Sequence, residues 1–417
     1  MTAPLSERHL VDHTVDGPVR RRRSPRSRLL AVGAAVALVL VAVRLVTPAL
    51  GPGLLRTARA DNGVSDTTIR IGQSAVFSGP AKDFGVDYRA GLQVCFGRIN
   101  KGGGINGRKI ELISYDDVYE PAKTAVNTAK LIDEDKVFAL IGYVATGNLA
   151  AAMPLADKAG VPMFAPLVGT TSFRTSFNRN LFHVRAGYDL ELRKIISHLS
   201  TIGITNIAVV FQDSAFGKSN LATCQQLAAD YKVQVVKAVP MAIAATDAKE
   251  ISATLTAAKP GAVVMIMAGR MVEVFIRDYR AGGAAAPLYT LSVGITDAPG
   301  SAERLQGKLE GLVTASIVPP PHSLSVPIVA DYQRDRAETG EKIDSYTALE
   351  GYIVARVFAE GLRRAGRTLT REAFVAGMEG IGNARFGEFP VTYGPKNHNG
   401  STFVDLEMYK RDGRLQR

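Results

Sequence analysis

Two short loops in this sequence carry hydroxyls and backbone N–H groups in a pattern that suits a carboxylate. Thr146, Gly147 and Asn148 stand between an apolar run, "FALIG", and a helical pattern, "LAAAMPLADK"; Gly169, Thr170, Thr171 and Ser172 follow "MFAPLV" in the same way. A helix start leaves N–H groups unpaired and a partial positive charge, so hydroxyls at that point can complete an anion site. The same residues also serve as ordinary N-caps, and both readings stand.

Covalent and metal chemistry find less support. Six histidines, His9, His13, His183, His198, His322 and His398, form no close pair at metal-ligand spacing in the body. Asp116 and Asp117 are adjacent, so at a strand end their side chains diverge and cannot work as an acid and base pair. "SAFGKS" lacks the G-x-S-x-G frame of a nucleophile turn. Cys95 and Cys224 both fit buried helical positions and have no histidine nearby in sequence, so they read as two thiols without a nucleophile's partner. No enzyme constellation, metal or cofactor is expected.

The glycines of "INKGGGINGRKIELISYDD" invite a phosphate-loop reading, but the order is reversed. Leu92, Cys95, Phe96 and Ile99 recur at helical spacing before them, and "KIELISY" alternates as a strand after them. Gly102 to Gly104 therefore predict a helix C-cap and Asn106-Gly107 a tight turn, both needing positive φ.

From Asp66 onward short apolar strands alternate with longer amphipathic helices, which predicts an α/β fold with parallel sheets flanked by helices on both faces. The units exceed one comfortable sheet, so two Rossmann-like lobes are expected. Breaks near "HVRAGYDLE" and at Pro319 to Pro321 place residues 61–187 plus 320–385 in lobe 1 and 188–319 plus 386–417 in lobe 2, joined by a multi-strand hinge.

The net charge of +11 does not indicate nucleic acid. Residues 1–60 hold ten arginines against Glu7, Asp12 and Asp16, and the remainder is close to balanced with no basic groove interleaved with aromatics. The leader reads as an export signal: "RRRRSPRSR" from Arg20, an apolar run from Leu29 to Val43, and an A-x-A site at Ala58 to Ala60. It predicts a periplasmic or secreted mature chain beginning at Asp61, with an uncleaved membrane anchor as the alternative.

With these residues in view, the body from about Thr67 to Arg414 resembles the type I periplasmic solute-binding proteins of the branched-chain amino acid (Leu/Ile/Val-binding) class of ABC transporters. The resemblance rests on "IRIGQSAVFSGPAKDFG", the glycine corner joined to "YDDVYEPAKTAVNTAKLI", "ALIGYVATGN", "GVPMFAPLVGTTSFR" and "DSAFGKSNL". It implies a two-lobed clamp that closes on a small solute, an amino acid or organic carboxylate, and delivers it to a permease in the inner membrane. It also implies that the loops at Thr146–Asn148 and Gly169–Thr171 hold the ligand carboxylate, with Ser78, Phe84 and Phe216 beside the ligand.

Arg270 stands where such proteins commonly have an aromatic residue. It either pairs a second ligand carboxylate or is a solvated residue opening the next helix. At "LYTLSVGIT", where members that bind zwitterions place an acid, this sequence has Ser292 and Val293, and no acid until Asp297. An unpaired buried ammonium is costly, so the expected ligand leans toward an organic carboxylate over leucine. A membrane-anchored sensor built on the same clamp is the rival reading.

Overall fold

The computed structural model describes residues 61–296, 298–411 and 414–416. They fall within one compact unit, Ala58–Arg417. The leader features lie outside the described residues, as does Asp297. No described helix is long and apolar enough to cross a membrane.

Five parallel strands make the first sheet: β1 (Thr68–Ala75), β2 (Lys109–Asp116), β3 (Ala139–Ile141), β4 (Met163–Phe164) and β5 (Leu181–Phe182), in the order β2-β1-β3-β4-β5. The second sheet contains β6 (Asn206–Gln212), β7 (Gln234–Met241), β8 (Ala262–Ile266), β9 (Leu288–Thr290), β10 (Val313–Ser316), β13 (Asp405–Tyr409) and β14 (Leu415–Gln416). Its order, β7-β6-β8-β9-β10 followed by β13 and β14, repeats the first sheet's arrangement and adds two antiparallel strands at the edge. Strands such as β8, "AVVMI", are buried at every position because helices cover both faces.

Helices α1 (Lys82–Lys101), α2 (Pro121–Asp133) and α3 (Thr146–Ala159) cover the first sheet; α5 (Tyr188–Thr201), α6 (Ala215–Asp230), α7 (Lys249–Ala257), α8 (Arg270–Ala281) and α9 (Ala298–Leu305) belong with the second. A one-turn helix, α4 (Ser172–Thr175), follows the second hydroxyl loop. After β10 the chain packs back against α1 as α10 (Pro327–Thr339) and α11 (Tyr346–Ala365), with α12 (Arg371–Glu379) on α11.

Helix α11 lies directly against α1, and two glycines make this possible. A Cβ on Gly91 would stand 1.8 Å from the Ala348 carbonyl oxygen, and one on Gly351 would stand 2.2 Å from that of Tyr88. Backbone therefore packs on backbone at this crossing.

The hairpin of β11 (Asn383–Phe386) and β12 (Phe389–Thr392) straddles residue 385, where the sequence places a lobe boundary. It packs on α10, with Ile328 N–H donating to the Gly387 carbonyl at 2.9 Å. Extended chain also runs side by side between the lobes: Gly400 and Ser401 N–H groups donate to the carbonyls of His183 and Val184 at 2.9 and 2.8 Å.

The glycine corner differs from expectation in one detail. Gly102 closes α1 with φ −82°, and positive φ falls on Gly103, Gly104, Asn106 and Gly107. The reversal is made at Gly104, whose N–H returns to the Ile99 carbonyl at 2.9 Å, so Gly102 needs no left-handed backbone.

Candidate functional site

In an open parallel sheet, ligands bind beyond the carboxyl ends of the strands, near the point where strand order reverses. Here two such ends face one another. A cavity of about 460 Å³ lies between them, walled by residues following β1 and β2 on one side and β6, β7 and β8 on the other. A pocket of about 20 Å³ adjoins it and shares Phe84, Tyr119 and Ala268. This smaller pocket is reached by Val144, Ala145 and Thr146 after β3, by Leu167 after β4, and by Val293 after β9.

The sequence-selected residues divide into those at the cavities and those behind them. Ser78 lines the larger cavity, with its hydroxyl already donating to Asp116 Oδ2 at 2.6 Å, so its oxygen is left to accept. Phe84 lines both cavities; it lies in the first turn of α1 and is buried. The helix runs from Lys82, so it already includes this ring. Phe216 forms part of the smaller pocket, edge-on to Tyr188 at 5.2 Å between ring centroids.

Thr146, Gly147 and Asn148 are the first residues of α3, not a loop before it. The N-cap is Ala145, with φ 78° and no side-chain cap, so the ordinary capping alternative is not what Thr146 or Asn148 does. Thr146 lines the smaller pocket, and its hydroxyl pairs with that of Thr170 at 2.8 Å, which joins the two predicted loops. Asn148 is buried, and Gly147 lies where a Cβ would come within 3.3 Å of Pro121.

The second loop stands one layer back. Gly169 presses on Tyr188, whose ring would lie 2.8 Å from an added Cβ. Thr170 is buried, and the buried Thr171 hydroxyl has no hydrogen-bond partner among the described residues.

Arg270 opens α8, as one of its two sequence readings has it, and it also lines the larger cavity. Ser292 is not with the others. Its N–H and hydroxyl bond the Glu191 carboxylate at 2.8 and 3.0 Å, and its oxygen accepts from Arg185 at 2.6 Å. The neighbouring Val293 is the residue that reaches the pocket.

Sequence reading missed Tyr119, Tyr188 and Gln212. Each stands at or just after a segment crossing or leaving a sheet, which is the one signal that could have found them. Burial raises the pKa of the Tyr119 phenol, and a side-chain bond from Gln212 on the opposite lobe partly offsets the rise. The backbone here is strained: Val118 and Tyr119 adopt φ 47° and 70°, and Ala145 78°, in a region that residues with a Cβ rarely enter. Such strain gathers where surrounding structure holds a binding surface in shape.

Two acidic groups stand just behind the cavity lining, Asp116 and Asp117, and neither is itself a lining residue. Asp116, although burial pushes its carboxyl up, is held below its usual value by the Phe77 and Val118 N–H groups and the Ser78 hydroxyl. Asp117 points inward, raised by burial, with Ser74, Tyr119 and Thr124 as its partners. Behind Tyr188 lies an ionic group in which Arg185 stands 3.6 Å from Glu191 and 3.7 Å from Glu350. Cys95 and Cys224 are free and buried, their thiols pushed up to about 12 by desolvation, which leaves them inert at neutral pH.

A family model described as "Periplasmic binding protein" matches residues 68–412. The leucine-, isoleucine-, valine-, threonine-, and alanine-binding protein of Pseudomonas aeruginosa is 33% identical over 107 residues, 26% of this chain and 28% of that protein. The Leu/Ile/Val-binding protein homolog 3 of Brucella melitensis is 30% identical over 152 residues, 36% of this chain and 41% of that one. The matched stretches thus span less than half the length of these curated relatives. Among solved structures, a substrate-binding periplasmic protein from Ralstonia solanacearum aligns with a TM-score of 0.77 and 29% identity, over 83% of this chain and 99% of that one.

Proposed function

The chain belongs to the periplasmic binding proteins of the Leu/Ile/Val-binding type, and from that premise we propose that it is the extracytoplasmic solute-binding component of an ABC importer. Its ligand is an amino acid or a related small carboxylate, taken up between the lobes and handed to an inner-membrane permease without chemical turnover. The observation that carries this reading is the cavity of about 460 Å³ between the carboxyl ends of two matching sheets, a size within the usual range for small-molecule sites.

The ligand contacts in this reading are Phe84, Thr146, Phe216 and Arg270, with Ser78 as an acceptor and Tyr119, Tyr188 and Gln212 added to the set. Asn148, Gly147 and the Gly169–Thr171 loop shape the wall from behind. Lobe 1 comprises 61–187 and 320–385 and lobe 2 188–319 and 386–417 in the sequence reading; the packing of the β11–β12 hairpin on α10 favours moving the last crossing to after the hairpin. Residues 1–60 act as the export leader, which puts the mature protein in the periplasm or outside the cell.

The test is native mass spectrometry of the protein purified from its own exported fraction, followed by release and identification of bound small molecules. A stoichiometric small carboxylate or amino acid is expected. Small-angle scattering should then show the radius of gyration falling when that compound is returned to the stripped protein, as hinge closure requires. Persistent absence of any bound or binding small molecule would overturn the reading.

A further inference from the structure

The cleft has an unbalanced electrostatic character. Among the described residues lining either cavity there is no aspartate or glutamate, and there is one arginine. Five helices also begin at these walls: α1 brings Ala81 and Phe84, α3 brings Ala145 and Thr146, α5 brings Tyr188, α6 brings Phe216, and α8 brings Gly269 and Arg270. Each N-terminus contributes partial positive charge; α1, α5 and α8 also carry acids in their first turns, Asp83, Asp189 with Glu191, and Glu273, none of which lines a cavity, while α3 and α6 carry none there.

Arg270 has bonding capacity to spare. Its nearest acid, Glu273, is 3.7 Å from Nη1, but that carboxylate already accepts from Arg304 Nε and Nη2 at 2.8 and 2.7 Å and from the Ser301 hydroxyl at 2.8 Å. The Arg270 guanidinium donates no hydrogen bond to a described residue, and its side chain is half exposed at the cavity wall. A guanidinium in this state is suited to a carboxylate in fork-to-fork geometry. The rest of the larger cavity is mostly apolar, with Val76, Ala81, Ile243, Met271 and Val274 as examples.

We propose that the cleft selects an organic anion, a carboxylate on an apolar aliphatic or aryl body without an ammonium group, and that Arg270 pairs with that anion. This deepens the solute-binding reading above and rests on it. An ammonium in the cleft would face helix N-termini and a guanidinium, with only neutral acceptors such as Gln212 and Ser78 among the described lining residues to compensate. A free carboxylate finds its pairing charge in Arg270 and in the acid-free helix starts of α3 and α6, and its body meets the apolar wall.

The test compares compounds that share one skeleton. Calorimetry on the full chain, stripped of bound ligand, would use leucine, isocaproate (leucine without its ammonium) and isopentylamine (leucine without its carboxylate). A parallel aryl series would use phenylalanine, hydrocinnamate and phenethylamine. In at least one series the carboxylate is expected to bind at least about tenfold more tightly than the amino acid, with the amine silent. Arg270→Gln should weaken that carboxylate about tenfold or more while leaving the melting temperature of the unliganded protein unchanged, and Arg270→Lys should recover part of the loss.

An amino acid that binds as tightly as its carboxylate, or an Arg270→Gln variant of unaltered affinity, would overturn the inference. The solute-binding reading would survive either result. Silence of all six compounds would also overturn the inference, and the broader reading would then be judged by the mass spectrometry of co-purified ligand.

Discussion

Arg185 Nη2 donates to the Ser292 hydroxyl at 2.6 Å, tying a segment that crosses between the lobes to the loop after β9. The same guanidinium faces Glu191 of α5 and Glu350 of α11, and all three side chains are buried. One cation therefore serves two acids on helices packed against different sheets, and its Nε and Nη1 groups have no hydrogen-bond partner among the described residues. Removing the cation leaves Glu191 with only its bonds from Ser292 and Glu350 with only Arg174 to offset burial, which costs more than the Arg185–Ser292 bond alone. Arg185→Met is expected to lower stability by about 3–5 kcal/mol, read from denaturant midpoints. A loss of well under about 1 kcal/mol would show that the two acids are compensated by other groups.

The same group sets a pH dependence. Burial raises the Glu191 carboxyl to about 7, against the pull of Arg185 and the two bonds from Ser292, with Glu350 adding to the rise. Glu350 is itself raised by burial, opposed by Arg185 and Arg174. A carboxyl whose folded pKa lies above its unfolded value keeps its proton longer in the native state, so its contribution to stability is fullest at acidic pH. That contribution is lost as pH rises from the unfolded value, about 4.3, toward 7. Glu191→Gln should flatten this part of the stability curve, measured as melting temperature against pH; an unchanged slope would assign the dependence elsewhere.

At the crossing of α1 and α11, Gly91→Ala would place a methyl group 1.8 Å from the Ala348 carbonyl oxygen, and backbone cannot move aside as a side-chain tip can. The variant is expected to lose about 2–4 kcal/mol of stability by overpacking. Gly103→Ala, where the φ is positive but a Cβ meets nothing within 4 Å, should lose only about 1 kcal/mol from backbone strain. Comparable losses for both would mean that the helices separate to admit the methyl group.

Processing at the A-x-A site would leave Asp61 as the first residue, and this residue is held by the body: its Oδ2 accepts from the Arg371 N–H at 2.6 Å. N-terminal sequencing of exported protein should therefore begin at Asp61. A start at Met1 would instead support the anchored alternative.

Much of the architecture is legible in local pattern because strand and helix periods are local properties. The run "AVVMI" must be buried on both faces wherever it lies, and it is. Asn106-Gly107 makes its turn because those residues tolerate φ of 52° and 84°, irrespective of what surrounds them. The Thr146 and Thr170 loops could be paired as hydroxyl-bearing segments following strands, and their oxygens do meet at 2.8 Å. The helix start before Phe84 was less legible, since "AKDF" has as many polar residues as a loop and only packing of the ring decides the matter.

Other features arise only when the lobes are placed. Tyr119, Tyr188 and Gln212 have no distinctive neighbours in sequence; they become site residues because strand ends from two sheets are brought opposite one another. Ser292 was singled out by its position, yet Glu191 and Arg185 claim it while Val293 reaches the pocket, a difference of one residue that side-chain direction at the end of β9 decides. The sequence by itself thus determined the alternating α/β pattern, its tight turns and the hydroxyl loops, because these depend on residues close along the chain. Which groups face the cleft, and the pairing of Arg185 with acids from two separate helices, was decided by tertiary structure, because desolvation and charge compensation act between segments that meet only after folding.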